Sequence, residues 1–141
     1  MLFLDSSSLV KLFSVEPGSD ETRASAQSAE LVAASRITYA ECRAAIARGS
    51  AERRITAAEA LHARQSFERI WAEVAVIELD GAVSVAAADL ADRHGLRGMD
   101  AIQLASALWT RDSAERPIAF ATWDDRLRRA AREEGLSLLP A

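Results

Sequence analysis

The chain has 141 residues, half of them hydrophobic, with 6 glycines, 3 prolines and a formal charge of −4. That is enough to bury the core of one domain, and the composition excludes a disordered linker or low-complexity tract. One cysteine, Cys42, excludes an internal disulfide framework, and no apolar run approaches the ~18 residues of a membrane span.

The expectation is therefore one domain over residues 1–141, cytoplasmic, with no membrane association: no basic segment precedes Leu2-Phe3-Leu4. Lys11 is the lone lysine, so the weakly acidic total argues against a general nucleic-acid coat but leaves room for a local groove of arginines.

In chain order, Met1 to Leu4 is an apolar run of strand length, ended by Asp5 and three serines before a helix near Ser8. Leu31 to Ser35 reads as a second strand, and a helix begins near Thr38, where Thr38-x-x-Glu41 has capping-box spacing. Thr56-x-x-Glu59 opens another helix, with Leu61, Phe67, Ile70, Trp71 and Val74 recurring every three or four residues.

Ala75 to Leu79 is a third strand, followed by an alanine-rich helix, Val83 to Arg93, that stops near Gly95. Asp100 directly precedes the helix Ala101 to Arg111, whose stripe includes Ile102, Leu104, Ala105, Leu108 and Trp109. Ile118 to Thr122 is a strand introduced by Pro117, Asp125 to Glu134 is a helix closed by Gly135, and Leu136 to Leu139 forms an edge strand. Apolar strands alternating with helices predict an α/β fold, a parallel sheet covered on both faces, with sites beyond the carboxyl ends of the strands.

Asp5, Glu41, Asp100 and Asp124 all stand at a strand exit or a helix start. Singly, each has a plain structural role: Asp5, Asp100 and Asp124 as N-caps and Glu41 as the capping-box acid, each worth about 1 kcal/mol. Together they can face one crevice. Two like charges ~4 Å apart repel by about 4 kcal/mol at an effective dielectric near 20, more than a cap returns, so such a cluster needs a cation. All-oxygen ligands without His or Cys suit Mg²⁺ or Mn²⁺, and a hard ion so held is a device for hydrolysing phosphodiesters.

The ordered set LDSSSLVKLF, ITYAECRAAIAR, RGMDAIQLASAL and FATWDDRLRRAA resembles the PIN domain, in particular the VapC-type toxins of bacterial toxin–antitoxin pairs. The resemblance implies a three-layer α/β/α sandwich with a central parallel sheet and a Mg²⁺- or Mn²⁺-dependent endoribonuclease acting on RNA. It also implies a homodimer and a cognate antitoxin whose C-terminal segment blocks the crevice, seated in an apolar groove around Leu9, Leu12 and Phe13.

By the same resemblance Asp5 and Asp100 hold the main metal, while Glu41 and Asp124 complete the pocket through water or a second ion. Ser6 matches the small hydroxyl residue after the first acid and orients a ligand or a phosphate; a first-turn cap for the following helix is its other reading. Thr122-Trp123-Asp124 matches the family's T-x-D pattern, which gives Asp124 the ligand role and Asp125 the first helical turn.

Arg43, Arg48, Arg53 and Arg54, with Arg126, Arg128, Arg129 and Arg132, either hold RNA phosphates or form a solvated face with pairs such as Arg129 with Glu133. Trp71 and Trp109 read as core, Trp123 as core or crevice wall. Haloacid-dehalogenase-like phosphatases need D-x-D-x-[TV], but position 7 is Ser. Response-regulator receivers need a late lysine, and there is none. A PIN-like module that binds RNA or protein without turnover is the rival reading.

Overall fold

Five short strands carry the sheet: β1 (Leu2–Leu4), β2 (Val32–Ser35), β3 (Ala75–Ile77), β4 (Ala119–Ala121) and β5 (Ser137–Leu139). All pair in parallel, in the order β3-β2-β1-β4-β5. The helices are α1 (Ser6–Phe13), α2 (Ser19–Ser28), α3 (Ile37–Ala51), α4 (Ala57–Trp71), α5 (Gly81–His94), α6 (Gly98–Ser113) and α7 (Asp125–Glu133). This computed structural model describes residues 1–114 and 117–140, so residues 115, 116 and 141 of the expected domain lie outside the described residues.

The pleat of β1 sorts the two layers. Leu2 and Leu4 pack with Leu9, Cys42, Ile46 and Phe67 from α1, α3 and α4, whereas Phe3 packs on the opposite face with Leu90, Leu104, Phe120 and Leu127. The expected α/β/α sandwich is what forms. Phe67 is fully buried, with ring centroids of Phe13, Tyr39 and Trp71 at 5.7, 5.2 and 5.7 Å. Burying such a side chain contributes roughly 1.5–3 kcal/mol.

Several local features go beyond the expectations or correct them. The polar segment SDETRASAQS has no apolar period, yet it forms α2, because Ser19 and Thr22 tuck beneath it where it meets α1. The helix α6 starts at Gly98, so Asp100 sits inside its first turn, and the N-cap is Arg97 with no side-chain cap bond. Likewise α3 starts at Ile37, and the Thr38 hydroxyl accepts from Gln103 at 2.8 Å instead of capping. The cap of α5 is Asp80, which accepts from Val83 N at 2.9 Å.

Leu61 is 53% and Trp109 47% exposed, so neither is core. The capping box of α4 does form, with Glu59 N donating to Thr56 Oγ1 at 3.1 Å and Thr56 N to Glu59 at 2.7 Å. Among the described residues no helix is long and apolar enough to cross a membrane.

Candidate active site

The carboxyl ends of β1 and β4 lie side by side because Leu4 is in register with Ala121. Asp5, the residue after β1, consequently meets Thr122, the residue after β4. Its Oδ1 accepts from Ser8 N at 2.8 Å, which caps α1, and Ser7 Oγ lies 2.8 and 2.9 Å from its two oxygens. Thr122 Oγ1 donates to Oδ2 at 2.6 Å. Burial pushes the Asp5 carboxyl up to about 6, against the lowering effect of the bonds from Thr122, Ser7 and Ser8.

The residue after Asp5 reaches another acid. Ser6 Oγ donates to Glu41 Oε2, and Gln103 Nε2 donates to the same oxygen at 2.8 Å. Ser6 therefore holds a carboxylate across helices; the cap of α1 is Asp5. Nearby Cys42 is buried and its thiol is pushed up to about 12, chiefly by burial and further by Glu41 and Asp5, which removes it as a nucleophile near neutral pH.

Asp124 caps α7 by accepting from Leu127 N at 2.8 Å, and its own amide donates to Thr122 Oγ1 at 3.2 Å. Asp125 lies in the first turn of the helix, as the T-x-D match implies. Asp100 is half-buried, and its carboxyl is raised by burial, then by the negative charges of Asp124 and Glu41; Arg97 and Arg126 oppose the rise. The acids of α3, α6 and the β4–α7 junction thus feel one another's field. A crevice of about 430 Å³ is lined by Arg97, Asp100, Trp123, Asp124, Asp125 and Arg126. A pocket of about 380 Å³ is lined by Ala40, Glu41, Ala44, Arg48 and Met99, so the consecutive residues Met99 and Asp100 line different pockets.

The residues present fit a hard divalent ion. Their donors are oxygens alone, and the repulsion at Asp100 is of the kind that a cation relieves. Among the described residues no three His, Cys, Asp or Glu side chains are grouped so as to hold one metal ion together. An ion held by one or two carboxylates and completed by water is the ordinary mode for Mg²⁺.

A family model described as "PIN domain" matches residues 2–133. This chain belongs to the PIN domain family. Two Mycobacterium tuberculosis proteins, Ribonuclease VapC45 and Ribonuclease VapC49, are each 36% identical to it over 141 residues, spanning 100% of this chain and 96% of each relative. The fold resembles that of FitAcB from Neisseria gonorrhoeae, with a TM-score of 0.72 at 22% identity, covering 98% of this chain and 96% of that one. It also resembles a toxin–antitoxin complex from Klebsiella pneumoniae, with a TM-score of 0.65 at 19% identity and coverage of 88% and 87%.

In this PIN domain several of the expected arginines are otherwise engaged. Arg43 pairs with Glu68 at 2.7 Å, Arg54 with Glu52 at 2.8 Å, and Arg128 donates to the carbonyls of Thr122 at 3.0 Å and Pro140 at 2.7 Å. Glu133 faces His94 Nδ1 at 3.2 Å and forms no ion pair with Arg129. Arg126 and Arg48 do line the two pockets.

Trp123 is a crevice wall of the PIN domain. Lys11 Nζ sits 4.7 Å from its ring centroid, and its indole N–H donates to Thr22 at 3.2 Å. Sequence reasoning missed Arg97 and Gln103. Arg97 stands three residues before Asp100 and Gln103 three after it, and that helical spacing is the signal that could have drawn them in.

Proposed function

We propose that this PIN domain, spanning the chain as one unit, is an endoribonuclease toxin that hydrolyses RNA phosphodiesters with Mg²⁺ or Mn²⁺. The observation that carries the reading is Asp100, whose half-buried carboxyl is raised first by burial and then by the charges of Asp124 and Glu41 from two other segments of the chain. The names of the two full-length relatives support the substrate. In this reading Asp5 and Asp100 hold the ion, and Glu41 and Asp124 complete its surroundings. When bound, the ion supplies an activated water and neutralises charge developing at phosphorus.

The chain's own groups do the positioning. Ser6 fixes Glu41, Thr122 fixes Asp5, and Arg97 and Arg126 beside Asp100 attract a phosphate to the crevice. The buried Asp5 anchors the α1 start, so the first acid does not swing.

The partners in this reading are RNA, a second copy of the chain, and a cognate antitoxin, all in the cytoplasm. A toxin–antitoxin complex among the structural neighbours supports the last. The seat differs from the one expected. Leu9 is fully buried and Leu12 packs against the core, while Phe13 joins Val10, Ile46, Ile55, Ala58 and Ala63 in lining a groove of about 800 Å³ between α1, α3 and α4. We assign this groove to an apolar segment of the antitoxin.

The test is cleavage of RNA by the purified protein with Mn²⁺ and with EDTA, beside Asp100→Asn. Cutting that needs both the ion and Asp100 sustains the proposal. RNA binding with no turnover under any metal condition replaces it with the non-cutting module, a reading favoured by the lack of three acids grouped to hold one ion among the described residues.

A further inference from the structure

Gln103 is only 2% exposed, on a face of α6 otherwise filled by Leu104, Ala107 and their neighbours. Its Nε2 lies 2.9 Å from Ser6 Oγ, 2.8 Å from Thr38 Oγ1 and 2.8 Å from Glu41 Oε2. A carboxamide nitrogen carries two protons, so these three acceptors share them. Its Oε1 is buried and accepts no hydrogen bond from the described residues.

An apolar side chain of similar volume would leave the buried Thr38 hydroxyl and Glu41 short of a donor, so Gln103 is more than packing. The amide instead supplies a fixed donor to Glu41. Ser6 donates to the same carboxylate oxygen, so donors from α1 and α6 converge on one atom of α3. Gln103 is also three residues after Asp100, which puts the two on neighbouring turns of one helix. A lysine or arginine in its place would fix Glu41 but cancel its charge. A neutral amide fixes it and leaves the negative field for a cation.

We infer that Gln103 is a positioning residue: it ties Glu41 and Ser6 to the helix that bears Asp100, so that acids from separate segments keep one geometry. The inference rests on reading the crevice as a phosphodiesterase centre. Gln103 touches neither the scissile bond nor the ion; it acts through Glu41.

The experiment compares the full-length wild type with Gln103→Met, Gln103→Glu, Ser6→Ala and the double variant Ser6→Ala/Gln103→Met, with Asp100→Asn as the reference for a lost acid. Steady-state RNA cleavage in Mn²⁺ is measured with melting temperature and circular dichroism. Removing a side chain that orients a metal-site group typically costs about 10- to 100-fold, so kcat falls by that factor in Gln103→Met, with KM changed less than about threefold. Because Ser6 and Gln103 hold one oxygen, the double variant loses much less than the product of the single losses. Gln103→Glu sets a second carboxyl against Glu41; where Gln103→Met does not fold, a kcat lowered at least as far in the folded fraction of Gln103→Glu supports the inference and a wild-type kcat there overturns it.

A lowered melting temperature with wild-type kcat in the folded variants makes Gln103 purely structural and overturns the inference while the phosphodiesterase reading stands. Failure of the wild type to cut, or equal cutting by Asp100→Asn, overturns that reading and the inference with it.

Discussion

The hydroxyl of Thr122 donates a 2.6 Å hydrogen bond to Asp5 Oδ2 and so joins the ends of β1 and β4, while accepting the amide of Asp124. One small side chain thereby relates an acid near the start of the chain to an acid near its end.

Asp5 makes stability depend on pH. Its folded value of about 6 is above the ordinary 3.8 of an aspartate, chiefly because burial disfavours the charge, so the folded state binds the proton more tightly than the unfolded one. In EDTA this group's contribution is fully present below about pH 4 and is lost as pH rises towards 6, a change of up to about 3 kcal/mol. Asp5→Asn has no such slope and gains on the wild type between pH 4 and 7. Parallel denaturation midpoints across that range would contradict the burial penalty.

On the proposed reading Asp100 governs the ion. In the presence of Mn²⁺ the wild type gains melting temperature by preferential binding to the native state, and Asp100→Asn gains less. Its raised carboxyl is lowered by Arg97 and Arg126, so Arg126→Ala raises it further. The variant's Mn²⁺-induced gain is then lost at a higher pH on acidification, which a thermal titration in Mn²⁺ at several pH values reads directly.

Gly18→Ala strikes at the crevice wall from behind. Gly18 has φ +87, and a Cβ there meets the Trp123 ring at 2.3 Å. Strain and displaced packing together destabilise by about 1–3 kcal/mol, and the moved Trp123 carries Asp124 with it, lowering RNA cleavage in the folded fraction. Urea denaturation and single-turnover cleavage measure the two effects.

Thr56→Ala separates stability from activity. It removes the capping box of α4 far from the acids and costs about 1 kcal/mol. Its cleavage rate, normalised to folded protein, stays at the wild-type value.

Ala58→Glu tests the groove. Ala58 is exposed on the lining, so a carboxylate there leaves the fold intact but puts a charge where an apolar segment would dock. Co-expressed antitoxin should bind at least about tenfold more weakly, a difference of about 1.4 kcal/mol, while RNA cleavage is unchanged.

The sequence was most legible where a local rule governs. Strand-length apolar runs, the Thr56 box and the Asp5 cap depend on contacts within a few residues, and they appear in the folded chain nearly as read. The nearness of Asp100 to Glu41 and Asp124 was legible in part, because strand exits and helix starts gather at one end of a parallel sheet. Other features were not. The polar segment of α2 has no periodicity of its own and is held by α1, and the capping roles read for Thr38 and Asp100 fail because each helix begins earlier than its polar signal.

By itself, then, the sequence determined the alternation of strands and helices and the acids at their junctions, since those follow from hydrophobic period and capping chemistry along the chain. Only the tertiary structure decided that Ser6 and Gln103 converge on Glu41, that Thr122 spans Asp5 and Asp124, and that Arg97 and Arg126 stand beside Asp100. Those contacts join residues far apart in the chain. Strand register and helix packing set them, and no local pattern encodes either.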